Sequence, residues 1–202
     1  MPCDHAQRLE AYMDGELDIL EGGVIRPGDA NEAREAWRAA MLHKNGPTML
    51  VLSRQNVPTL DRTDIAPASD LHKGAYVLTE TKGKTPDVIL IATGSELHLA
   101  VGAKTELEKK GHAVRVVSMP SFEIFERQTQ AYRDSVLPPS NWRRLAIEAG
   151  SPLCWYRWVG TEGEVIGMTT FGASAPYKDL APHFGFTVEN VVARAEKLIA
   201  RK

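Results

Sequence analysis

The chain has 202 residues, 43% hydrophobic and 25% charged, and its 24 Lys and Arg against 26 Asp and Glu leave a net charge of −2. That length and apolar content suit one large or two small domains with a sizeable core, while so slight a charge offers no general attraction for nucleic acid or an anionic membrane surface. No apolar run approaches the roughly 20 residues that span a bilayer, and no cationic start leads into an apolar stretch, so neither a membrane span nor a secretion signal is expected and the cytoplasm is the expected compartment.

Residues 1–23 fit no domain and are left as an unassigned lead segment. Residues 7–13 have room for one or two helical turns, and an acidic run from Asp14 ends at Gly22-Gly23. Cys3-Asp4-His5 holds too few ligands for a structural zinc site, which needs four. In a chain without secretory features both cysteines are expected as thiols, with Cys154 a small buried hydrophobe.

Signals sharpen over residues 24–62. Val24-Ile25-Arg26-Pro27 reads as a strand end, and Asp29 with Glu32 three residues on makes a helix N-cap pair. Ala33, Ala36, Trp37, Ala40 and Met41 recur on one helical face, which predicts them inward, with Arg34, Glu35 and Arg38 outward. Asn45-Gly46-Pro47 stops the helix. Residues 49–52 then read as a buried strand, which completes a βαβ unit too small to stand without packing on something else. Beyond that strand, at the edge where α/β sheets collect ligands, stands Ser53-Arg54-Gln55. The Arg54 guanidinium keeps its charge when buried and forks onto a phosphate or carboxylate. A solvated arginine, or one paired with a nearby carboxylate, is the alternative.

Residues 63–86 carry scattered Pro, Gly, Thr and Lys and read as a linker with a short strand over 75–78. Residues 87–202 read as a complete α/β domain. Val88–Ala92 is apolar on both faces, as a parallel strand covered by helices on each side must be. Thr93-Gly94-Ser95 turns the chain, Ser95 is the expected cap, and a helix continues over 96–110 with Leu97, Ala100, Val101 and Leu107 inward, stopped by Gly111. Further strands are expected over 113–118 and 145–148. Thr187 caps a last helix whose Val188, Val191, Val192, Ala195, Leu198 and Ile199 share one face.

Two other features invite functional readings. The turn Thr93-Gly94-Ser95-Glu96 offers a helix N-terminus to an anion, but Glu96 in the first turn already answers the dipole, and no glycine-rich phosphate motif accompanies it. Trp155-Tyr156-Arg157-Trp158 and Met168-Thr169-Thr170-Phe171-Gly172 fit either a core or an interface between domains or subunits.

The blocks VIRPGDANEAREAWRAAM, GPTMLVLSRQNVPTLDR, ATGSELHLAV, VVSMPSFEIFERQ, YRDSVLP, IEAG, WYRWVG and GMTTFGASAP, in this order, closely resemble the C-terminal part of transketolases. The resemblance implies a three-layer α/β/α C-terminal domain with a mostly parallel sheet over 87–202. Before it would lie a βαβ remnant, residues 24–62, the end of the middle, pyrimidine-binding domain. It implies that Arg54 contacts the phosphate of a sugar phosphate substrate. It further implies transfer of a two-carbon ketol unit between a ketose phosphate and an aldose phosphate on thiamine diphosphate and Mg²⁺, in a homodimer.

Members of that family hold the diphosphate through a Gly-Asp-Gly segment and a downstream Asn in an N-terminal domain. Here Asp14-Gly15 lacks the first glycine, and Gly28-Asp29 runs into alanine. No catalytic, cofactor-binding or metal residue is therefore assigned in this chain. It is expected to be inactive alone and to need the remaining transketolase domains or a complementary subunit. The self-contained stretch 87–202 leaves a second reading open, a non-catalytic interaction or regulatory α/β module.

Overall fold

A computed structural model describes residues 23–201; the turns expected over 7–13 and the Cys3-Asp4-His5 group lie outside them. The main body is a five-stranded sheet in the order β3-β5-β4-β6-β7, built from Tyr76–Glu80 (β3), Val88–Ala92 (β4), Val114–Ser118 (β5), Arg144–Ile147 (β6) and Glu164–Ile166 (β7). β3 runs antiparallel on one edge, and every other pairing is parallel. Such a sheet must be covered on both faces. Val88, Leu90 and Ala92 point into one core with the helices Leu97–Lys109 (α2) and Val188–Ile199 (α7). Ile89 and Ile91, one residue out of phase, point into a second core with Phe125, Trp155 and Trp158, carried by Phe122–Glu126 (α3), a 3₁₀ turn and Tyr156–Val159 (α5). The fold is thus a mixed α/β sandwich of helix, mostly parallel sheet and helix.

Ahead of this body, Gly23–Ile25 (β1), Ala30–Leu42 (α1) and Thr48–Leu50 (β2) form a βαβ unit with β1 and β2 parallel. Asp29 caps α1 by accepting from the Glu32 amide. The unit packs tightly on the main body. A side chain at Gly28 would meet Leu97 Cδ2 at 2.6 Å, so only glycine fits there, and Ile25 and Ala36 join the same core as β4 and α2.

Several expectations change. On α1 the buried residues are Glu32, Glu35 and Ala36, while Trp37 and Met41 are 57% and 79% exposed. The helix turns a polar face to the body because partners wait there. Tyr76, Ser118 and the Gly28 amide donate to the Glu32 carboxylate, and His72 lies 3.1 Å from Glu35 Oε2. The strand expected over 49–52 is shorter and is not buried, with Met49 60% exposed. Residues 63–86 supply the edge strand β3 and a 3₁₀ helix, Ala68–Lys73, besides connecting. Ser95 does not cap α2; a 3₁₀ turn over Gly94–Glu96 leads into it, and the Ser95 hydroxyl donates to Glu96 instead. Cys154 is exposed, because the Pro152–Trp155 turn aims Trp155 inward in its place. The aromatic segment divides: Trp155 and Trp158 are core, with the Phe122 ring edge-on to Trp155 at 4.9 Å, while Tyr156 and Phe171 are exposed.

Candidate functional site

β1 and β2 run parallel and in register, Ile25 opposite Leu50, so the segments after their last residues emerge at one edge. From β1 comes Arg26, and from β2 a loop carrying Arg54. The Val51 amide still bonds the Ile25 carbonyl at 2.9 Å. The loop is held at its far end by the α1 N-terminus. Leu60 N donates to Asp29 Oδ2 at 3.0 Å, Asn31 Nδ2 donates to the Leu60 carbonyl at 3.2 Å, and Arg62 lies 3.2 Å from the same Asp29 carboxylate. One carboxylate thus caps the helix and closes the loop.

Arg54 stands exposed between these anchors, and among the described residues it has no ion-pair partner. It lines a cavity of about 340 Å³ whose walls come from the β2 loop (Leu52, Gln55), the turn after β4 (Gly94, Glu96) and the helix Tyr177–His183 (α6; Tyr177, Leu180). The cavity lining is otherwise largely apolar, through Met168, Leu180 and Phe184.

Sequence reasoning singled out Arg54 and passed over Arg26, which lines the same cavity. Arg26 is committed elsewhere: its guanidinium pairs with Glu148 and lies 4.0 Å from Glu96. Burial lowers its proton affinity, and Glu96 opposes that shift. The available signal was positional, since Arg26 comes directly after a strand parallel to the one that leads to Arg54. Two parallel strands end at the same edge of their sheet, and the residues beyond them meet there.

The turn after β4 is in use already. The Gly94 amide donates to the Arg26 carbonyl at 3.1 Å, and the buried Glu96 carboxylate accepts from Ser95 Oγ at 2.6 Å and from the Ala149 amide at 3.1 Å. Glu96 also raises the proton affinity of the nearby Tyr177 phenol, after the larger effect of burial. Among the described residues no three His, Cys, Asp or Glu side chains gather as a metal ligand set. Glu96 is the one carboxylate among the described residues that line the cavity beside Arg54, whereas Mg²⁺ draws on several oxygen ligands in one place.

The family model for the transketolase-like C-terminal domain matches residues 74–187, more than half of the chain. The chain belongs to that transketolase family. Among its relatives, the transketolase of Aquifex aeolicus is 49% identical over 178 residues, which are 88% of this chain and 25% of that protein. The Geobacillus stearothermophilus enzyme is 49% identical over 200 residues, 99% of this chain and 29% of that one. The chain thus spans about a quarter of the length of these curated relatives. A solved transketolase from Leishmania mexicana superposes with a TM-score of 0.80 at 34% identity, over 95% of this chain and 27% of that one. An inactive β4 tetramer of a split-gene transketolase shares the fold, with a TM-score of 0.70 at 23% identity over 89% of this chain and 58% of that one. No helix among the described residues is long and apolar enough to cross a membrane.

Proposed function

We propose that this chain serves as the C-terminal portion of a transketolase that moves a two-carbon ketol unit from a ketose phosphate to an aldose phosphate, with Arg54 anchoring the substrate's phosphate. The observation that carries the reading is the exposed Arg54 guanidinium, unpaired among the described residues, on the rim of a cavity beyond the β2 carboxyl end. A free fork of N–H donors suits a phosphate, and an anchor remote from the reacting carbon aligns the carbonyl for chemistry.

Thiamine diphosphate with Mg²⁺ supplies the carbanion for such a transfer. In this reading other transketolase domains hold it. Those domains, in the same polypeptide or a complementary subunit, are also the proposed cover for the exposed Trp37, Met41 and Met49 of the βαβ unit. Residues 24–62 are then the end of the pyrimidine-binding domain, 63–86 a connection and 87–202 the C-terminal domain. The working assembly is a homo-oligomer in the cytoplasm.

Calorimetric titration of the 202-residue chain with thiamine diphosphate and Mg²⁺ is expected to show no binding, and micromolar binding would overturn the reading. Mixing the chain with a polypeptide carrying the remaining domains should produce ketol transfer. In that assembly Arg54→Ala should lower kcat/KM for phosphorylated donors by the worth of a charged hydrogen bond, about 1.5–3 kcal/mol or roughly ten- to a hundredfold. Unphosphorylated donors should be unaffected. Equal loss for both would make Arg54 structural.

A further inference from the structure

Open parallel sheets take their ligands beyond the carboxyl ends of the strands, where loops from neighbouring strands part to opposite sides. In this sheet that place lies between β4 and β6, at the turn Thr93 to Glu96 and the segment Glu148 to Gly150. Two carboxylates face each other across it, Glu96 at 1% exposure and Glu148 at 9%.

Both are held from behind. The Ala149 amide and the Ser95 hydroxyl each donate to one oxygen of Glu96. The indole N–H of the fully buried Trp155 donates to Glu148 Oε2, and the Glu148 amide is fixed on the Ile166 carbonyl at 3.0 Å. The remaining oxygen of Glu148 meets Arg26 Nη1, and Arg26 Nη2 lies 4.0 Å from Glu96. Gly94, whose φ of +57° disfavours a side chain, lies against the guanidinium, a Cβ there coming 3.4 Å from Arg26 Nη2. The Arg26 backbone is clamped as well: its amide donates to the Pro120 carbonyl at 2.8 Å, and its carbonyl accepts from Thr93 Oγ1 and the Gly94 amide, each at 3.1 Å.

Two carboxylates so far from water are unfavourable unless a cation answers them. Both carboxylates lie beside one planar group, Glu148 bonded to Arg26 Nη1 and Glu96 Oε2 4.0 Å from Nη2, and a planar fork that reaches two carboxylates at once suits them better than an ammonium. We infer that the crevice at the carboxyl edge of the C-terminal sheet is a guanidinium-binding site formed by Glu96 and Glu148, and that the chain fills it with its own Arg26. Through this occupancy β1, and with it the neighbouring strand that leads to Arg54, is fastened to the C-terminal domain. The inference does not rest on the sugar phosphate reading, and its test needs no transferase activity.

The test empties the site and refills it. In the 202-residue chain, Arg26→Ala is expected to lower the thermal midpoint by several degrees and to shift the Trp155 indole N–H signal in a ¹H–¹⁵N spectrum. That signal is assigned among the four tryptophans with Trp155→Phe. Methylguanidinium should then raise the midpoint and return the Trp155 signal saturably, while methylammonium at the same concentration does neither. The response should vanish in Arg26→Ala/Glu148→Gln and be absent from the wild type, whose site is full. A missing response, or an equal one to methylammonium, overturns the inference. If Arg26→Ala does not fold, Arg26→Lys keeps a cation without the fork, and a Trp155 signal identical to the wild type in that variant overturns it as well.

Discussion

The two parts of the molecule use the same motif, parallel strands joined through a helix, and treat it in opposite ways. In the C-terminal sheet, β4 is buried on both faces, each face beneath its own layer of helices. In the βαβ unit, β2 is a three-residue strand with Met49 in the open, and α1 leaves Trp37 and Met41 exposed while its buried side carries two glutamates beside Ala36. The first part is held by burial. The second is joined to the first by directed polar bonds at the seam as well as by Ile25 and Ala36 in the shared core, and it leaves Trp37, Met41 and Met49 exposed.

The largest effect should come from cutting that seam. Glu32 is fully buried and gathers Tyr76, Ser118 and the Gly28 amide, with Arg62 at 3.9 Å. Glu32→Ala strands those donors and leaves the Arg62 charge without one of its two carboxylates. Losing one partner of a buried charged network costs about 3–5 kcal/mol, to be read from urea unfolding. A loss under about 1 kcal/mol would mean that the seam is apolar in its energetics, like the sheet.

A subtler effect comes from pH, because the two glutamates of one helix face shift in opposite directions. Burial pushes the Glu32 carboxyl above its ordinary 4.5, against the hydrogen bonds from Ser118, Tyr76 and Gly28. The folded chain then holds that proton more tightly than the unfolded one. Its contribution to stability is complete below 4.5 and is lost as pH rises through the raised value. Glu35 behaves in reverse, since the His72 hydrogen bond, joined by Arg34, holds its carboxyl below 4.5. Its contribution is present above 4.5 and is lost as pH falls through the lowered value. Thermal midpoints from acid to neutral should show Glu32→Gln flattening the decline on the rising side and Glu35→Gln flattening it on the falling side. Parallel profiles for both variants would sink this assignment.

The same contrast explains what was legible in the residues alone. β4, β5, β6 and α7 could be read because their burial is written locally, as continuous apolar runs or one periodic face. The inward face of α1 could not. What buries Glu32 are Tyr76 and Ser118, 44 and 86 positions away, and no window on the helix contains them. The cavity rim divides the same way. Arg54 was legible from its place after a strand, whereas Arg26 acquires meaning only once Glu148, 122 positions on, is brought to it. Cys154 was misplaced because a turn beginning at Pro152 decides which of two adjacent apolar residues goes inward, and the neighbouring Trp155 took the core.

The smallest effect tests the open side of the βαβ unit. Met49 is 60% exposed, so Met49→Ala in the isolated chain leaves no cavity and should change stability by no more than about 0.5 kcal/mol. A loss of the roughly 2–5 kcal/mol typical of a buried methionine would show that this strand is packed in solution. In a mixture with the remaining transketolase domains the expectation reverses. Exposed apolar surface that is idle in the free chain becomes buried area on association, so the same substitution should weaken binding there while leaving the free chain's unfolding curve in place. The two measurements together separate a face that is merely tolerated from one that exists to be covered.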